Sequence, residues 1–150
     1  MAHTFTNLLT HVIFSTKDRV PSITVDLKPE LSAYLGGIVR EIKGKAYSIG
    51  GTSDHIHMLI SLPPSISISD SLRIIKTNSS SWVHSLDANY RAFVWQTGYG
   101  AFSVSKSNAS AVITYIQNQE EHHKKVSFKE EFIAFLRKHG IEYDERYIWE

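Results

Sequence analysis

Residues 45–64 read KAYSIGGTSDHIHMLISLPP, and the folding of this stretch decides the architecture of the chain. Its two halves, KAYSIGG and HIHMLISL, are short and apolar enough for strands, with turn-forming residues near Gly50–Asp54 between them. Pro63-Pro64 ends the second half, because proline cannot donate to a strand ladder. Side chains alternate faces along a strand, so His55 and His57 share one face while Ile56, Met58 and Ile60 turn to the other. A His-x-His pair is read most plainly as a solvated polar face. It can also be half of a metal site, and then a further ligand must come from elsewhere in the chain.

The elements on either side complete a pattern. LLTHVIFSTK, residues 8–17, is β-branched and aromatic and reads as a first strand. Residues 25–44 place Leu27, Leu31, Leu35, Ile38, Val39 and Ile42 at helical spacing and end at Gly44. Residues 67–86 open on serine and aspartate cap candidates and carry Leu72, Ile75, Trp82 and Val83 on a helical repeat. GAFSVS, residues 100–105, reads as a fourth strand, with Gly98 and Gly100 permitting a turn or bulge at its entry. Residues 107–125 read as a third helix capped by Ser107 or Asn108, and residues 129–140 as a last helix stopped by Gly140. The order β-α-β-β-α-β predicts an α+β, ferredoxin-like split βαβ. This is an antiparallel sheet with helices on one face, followed by C-terminal helices.

With 150 residues, 42% of them hydrophobic, the chain is read as one domain over 1–150, with no repeat or linker. The formal net charge is +1, but residues 1–119 carry +3 and residues 120–150 carry −2. Nucleic-acid contact would therefore need a local patch rather than a global field. No cysteine is present, which excludes disulfides and thiolate ligands. The first residues form neither a signal peptide nor a membrane span, so a cytoplasmic location is expected.

The third helix offers the chemistry that the histidine pair lacks. Tyr115 and Gln119 are four residues apart and share a helix face. They border the apolar stripe of Ala109, Val112, Ile113 and Ile116, which would hold them at the sheet without burying them in the core. Two imidazoles and an amide oxygen can bind a divalent cation with positions left open, and a tyrosine hydroxyl can attack phosphorus. Taken singly, Tyr115 is as easily a packing residue and Gln119 a solvated one. Their spacing, together with His55 and His57, is what points to a site.

The segments GGTSDHIHMLISLPP, FVWQTGYGAFSVS and VITYIQNQEEHHKK resemble the single-tyrosine transposases of the His-hydrophobic-His superfamily. These are small enzymes of bacterial insertion sequences and their repeat-associated, domesticated relatives. The resemblance runs through the terminal GIEYDERYIWE and so covers essentially the whole chain. It implies metal ligation by His55, His57 and Gln119, with Mg²⁺ or Mn²⁺ as the ion. It also implies a nucleophilic Tyr115 that cuts single-stranded DNA near hairpins, leaving a 5′-phosphotyrosine and a free 3′-OH. A homodimer with active sites shared between subunits is implied as well. Imidazole ligands suit Mn²⁺ or Zn²⁺ better than Mg²⁺, which prefers oxygen.

Other polar residues have plainer readings beside the sharper ones. His122-His123 read best as a polar helix end next to Lys124 and Lys125, although His122 falls on the Tyr115 face. Arg73, Lys76 and Arg91 are candidate phosphate contacts, or ordinary solvated residues. Tyr99 is a candidate for stacking on an unpaired base, while Trp95 and Phe102 read as core. Two rival functions stand beside the transposase. One is a non-catalytic single-strand nucleic-acid binder on the same sheet, and the other a replication-initiator or relaxase type nickase, against which its usual size and additional domains argue.

Overall fold

In the computed structural model, which describes residues 3–149, the decisive stretch forms two antiparallel strands. They are β2 (Lys45–Gly51) and β3 (His55–Ser61). With β1 (Leu9–Ser15) and β4 (Gly100–Ser103) they build a four-stranded sheet in the order β2-β3-β1-β4. Each neighbouring pair is antiparallel, and in the central pair Ile13 faces His57 and Ser15 faces His55. This is the predicted split βαβ topology.

The two sheet faces are covered differently. Val12, Phe14, Ile56, Met58 and Ile60 pack under α1 (Leu27–Glu41) and α2 (Ile68–Leu86), forming the larger core. Ser67 caps α2 by accepting from the Asp70 backbone N–H at 3.0 Å. The opposite face, which carries the histidines, is covered by the C-terminal helices. There Ile13 and Phe102 meet Phe128, Phe132 and Leu136 of α5 (Phe128–Lys138). Leu9 and Leu59 meet Ile116 of α3 (Ala109–Gln117), with Val112 and Ile113 beside it. Helices thus lie on one face of the split βαβ unit proper, and the appended helices close the other.

The sequence predicts one helix over 107–125, and the structure differs. The helix breaks at Asn118 (φ −101°, ψ 20°), and α4 (Gln119–His122) continues from there. Asparagine is a weak helix former whose side chain competes for backbone partners. The break alters Gln119: instead of bordering the stripe in contact with solvent, it is 1% exposed. Asn108 stands at the N-cap of α3 but its side chain makes no capping hydrogen bond.

Gly50 sets how closely α3 approaches the sheet. A Cβ there would lie 2.5 Å from the backbone carbonyl oxygen of Ile116, the residue after Tyr115. Gly50→Ala should therefore push α3 off β2, destabilising the fold by about 1–3 kcal/mol in denaturant titrations and displacing Tyr115. An unchanged unfolding midpoint would mean that α3 is not held by this contact.

Candidate active site

His55, on β3, is aimed by its neighbours. Its Nδ1 lies 2.7 Å from Asp54 Oδ1 and 2.9 Å from Thr52 Oγ1, and the Thr52 hydroxyl itself donates to Asp54 at 3.0 Å. A carboxylate only accepts, so Nδ1 of His55 carries a proton. Its Nε2 faces Gln119 Oε1, 3.0 Å away. With Nε2 bare the two atoms could share a cation, and the carboxylate behind the histidine is the support that metal-bound imidazoles usually have.

Around this point the C-terminal helices bring groups that the sequence reading had set aside. Nitrogen atoms of His55, His57 and His123 and a Glu131 oxygen all lie within 4.8 Å of one another. Glu131 accepts from His57 Nε2 at 2.9 Å, His123 Nε2 at 3.1 Å and Gln119 Nε2 at 3.2 Å, and also from the Tyr115 hydroxyl. His122 Nε2 lies 3.2 Å from the Tyr115 oxygen. The nitrogen and oxygen donors here fit a divalent cation of the Mn²⁺ or Zn²⁺ type. His123 is thus not merely a polar helix end, and Glu131, which the sequence reading passed over, is the centre of the cluster.

Glu131 does have a signal in the sequence. On α5 the apolar positions Phe128, Phe132, Phe135 and Leu136 mark one face, and Glu131 falls within it. A carboxylate in an apolar stripe must find partners or stay neutral. It is 3% exposed and finds four.

The electrostatics follow from these contacts. Burial would raise the Glu131 carboxyl, but hydrogen bonds from His123, His57 and Tyr115 outweigh it and hold the group far below the usual carboxylate range. Burial pushes His57 down to about 4, against the pull of Glu131, so its imidazole is neutral. For His123, burial lowers the value but the Glu131 contact prevails and raises it. The Tyr115 hydroxyl is pushed well above its ordinary range, first by burial and then by its bond to the Glu131 carboxylate. Tyr115 therefore rests as a neutral donor.

A cavity of about 350 Å³ adjoins Tyr115, walled by His122, Val126, Glu130, Glu131, Ala134 and Phe135. The candidate nucleic-acid residues lie elsewhere. Arg73, Lys76 and Tyr99 line a groove of about 590 Å³ along α2, the helix on the sheet face opposite the histidines. The Lys76 ammonium is not a free phosphate contact: it donates to the carbonyls of Gln96 at 2.5 Å and Gly98 at 2.8 Å, and burial lowers it to about 8. Arg91 is exposed and does not line the groove. Trp95 and Phe102 are buried, as expected.

A family model described as "Transposase IS200 like" matches residues 4–119, a span that includes both histidines, Tyr115 and Gln119. The chain belongs to the IS200-like transposase family. It is 28% identical over 129 residues to the transposase of insertion sequence element IS200 from Salmonella typhimurium, covering 83% of this chain and 84% of that one. The Salmonella typhi counterpart matches equally. Among solved structures, a candidate transposase of Deinococcus radiodurans R1 aligns with a TM-score of 0.63 at 21% identity, over 79% of this chain and 95% of that one. A REP-associated tyrosine transposase bound to a REP hairpin aligns with a TM-score of 0.62 at 14% identity, over 84% and 74%. At those identities the likeness concerns the fold. His123 and Glu131 lie beyond the residues that the IS200-like model matches. Among the described residues, no helix is long and apolar enough to cross a membrane.

Proposed function

We propose that this IS200-like transposase cleaves and rejoins single-stranded DNA at hairpin-bearing element ends through a covalent intermediate on Tyr115. The observation that carries the reading is the single hydrogen-bonded cluster joining Tyr115 to His55, His57, Gln119 and Glu131. A non-catalytic binder has no use for such a cluster. His55 and His57, with Gln119, Glu131 and His123 around them, would hold a divalent cation, Mn²⁺ or Mg²⁺. When bound, that ion supplies charge to a phosphodiester oxygen.

The chain's own residues account for the remaining steps. Glu131 accepts from the Tyr115 hydroxyl and orients it, taking its proton only as the phenolic oxygen bonds to phosphorus. The bond from phosphorus to the 3′-oxygen breaks, leaving a 5′-phosphotyrosine, and the departing 3′-oxygen takes up the proton that Glu131 received from Tyr115, giving a free hydroxyl. The reverse attack by a 3′-OH rejoins a strand and restores Tyr115. The cavity beside Tyr115 is the proposed place for the scissile nucleotide. The α2 groove with Arg73 and Tyr99, together with the exposed Arg91, is the proposed contact for the hairpin, with Lys76 holding the groove wall through the carbonyls of Gln96 and Gly98. A cytoplasmic location fits that proposed substrate.

Hairpin-bearing single strands labelled at one end or the other, incubated with the protein and Mn²⁺, test the polarity. Label at the 3′ end should move to a protein-linked band on denaturing gels, while label at the 5′ end appears in a shorter free fragment. Adducts carrying the 5′ label would reverse the assignment, and no adduct would favour the binder.

We propose further that the working form is a homodimer whose sites are shared. Tyr115, Gln119, His123 and Glu131 all follow the exposed stretch 105–108, whereas the two motif histidines precede it. The same contacts can therefore form within one chain, as in the structure, or between two. A Tyr115→Phe subunit mixed with a His57→Ala subunit should recover cleavage, with the DNA linked only to the His57→Ala chain. No recovery from demonstrated heterodimers would mean that each chain serves its own site.

A further inference from the structure

His57 differs from His55 in what stands behind it. Asp54, behind His55, can only accept a hydrogen bond, so Nδ1 of His55 keeps its proton in every state. Behind His57 stands a second buried imidazole, His11 of β1, whose Nε2 lies 2.8 Å from His57 Nδ1. His11 shares the sheet face of His57 and is 2% exposed. Its ring is boxed in by His57 and by Phe135, each with its centroid 5.0 Å away, and by Tyr115 at 6.2 Å.

The hydrogen-bond partners fix which atoms carry protons. Glu131 Oε1 is 2.9 Å from His57 Nε2, and a carboxylate requires a donor there. A neutral His57 then has a bare Nδ1, which accepts from His11 Nε2–H. This arrangement is not ready for a metal, because the lone pair that a cation needs is occupied by a proton. Ligation requires the other tautomer, with the proton on Nδ1 of His57, and that form must find an acceptor behind it. An aliphatic neighbour would leave Nδ1–H unpaired, and a carbonyl would fit only the ligating form. An imidazole fits both. The Nε2 of His11 can donate to or accept from His57 Nδ1 across the same 2.8 Å, depending on its tautomer.

We propose that His11 is a positioning residue that lets His57 change tautomer when the cation binds, the two rings switching together. This rests on the metal-site reading above. The proton count balances. The His57 Nε2 proton leaves, the His11 Nε2 proton passes to His57 Nδ1, and one proton returns to His11 Nδ1.

Two measurements on the full chain test the coupling. Nitrogen-15 spectra of the histidine rings should show His57 and His11 both protonated at Nε2 in the metal-free protein. Both should move to Nδ1 on titration with diamagnetic Zn²⁺. Calorimetry with Mn²⁺ should show His11→Phe binding about tenfold more weakly, and His11→Gln, whose amide can donate or accept at the same place, within about twofold of the unaltered chain. The proposal is overturned if either ring keeps its tautomer when Zn²⁺ binds, or if His11→Phe binds Mn²⁺ with full affinity. Should His11→Phe fail to fold, the spectra of the unaltered chain decide alone. If that chain binds neither ion, the metal-site reading falls and this inference with it. If it binds them with tautomers unchanged, only this inference falls.

Discussion

Tyr115→Phe should abolish the covalent DNA adduct, reducing cleavage by about 10⁴-fold or more, while hairpin binding stays near that of the unaltered protein. The phenylalanine ring keeps the packing of Tyr115 against His122, His57 and Phe135, whose ring centroids lie 5.1, 5.8 and 5.8 Å away. The attacking oxygen is lost, with its bond to Glu131 and its 3.2 Å contact to His122 Nε2. Fold stability should fall by about 1 kcal/mol, because Glu131 keeps its donors on His57, His123 and Gln119. Denaturant titration and denaturing gels separate the two effects. An adduct formed by Tyr115→Phe would remove Tyr115 as nucleophile and send the search to Tyr99, which lies on the α2 groove.

The second large effect is expected at the histidine pair. His57→Ala removes a buried ring that touches Glu131 and His11, and His55→Ala removes the ring supported by Asp54. Each should weaken Mn²⁺ binding by more than about 10²-fold, since loss of a ligand exceeds the loss seen for supporting residues. Cleavage should fall in parallel, and EDTA should produce the same loss in the unaltered protein. Calorimetry reads the first and gel assays the second. Full cleavage by the double variant His55→Ala/His57→Ala in EDTA would rule out a metal-assisted mechanism.

The sheet was legible because its signals are local: alternation around His55 and His57, turn residues between two short strands, and helical spacing in 27–42. The helix carrying Tyr115 was legible for the same reason, down to Ile116 in its apolar stripe. What escaped was long-range or depended on a single backbone break. The turn at Asn118 buries Gln119 and carries His123 toward His55, and no periodicity foretells it. Glu131 was hidden differently. Its charge suggests a solvated position, and only its place among Phe128, Phe132 and Phe135 reveals that it faces inward. His11 lies within the first strand, and nothing local marks it, because its partner, His57, is 46 residues away. Lys76 reads in the sequence as a candidate phosphate contact, and only the fold shows its ammonium donating to the backbone carbonyls of Gln96 and Gly98.

The most direct test of the account is to locate the covalent bond. Protein incubated with hairpin-bearing single-stranded DNA and Mn²⁺, then digested with nuclease and protease, should yield one modified peptide in the mass spectrometer. The account predicts a nucleotide 5′-phosphate attached to the Tyr115 oxygen, and its absence when EDTA is present. Attachment at any other residue, or cleaved DNA with no linked peptide, would contradict it.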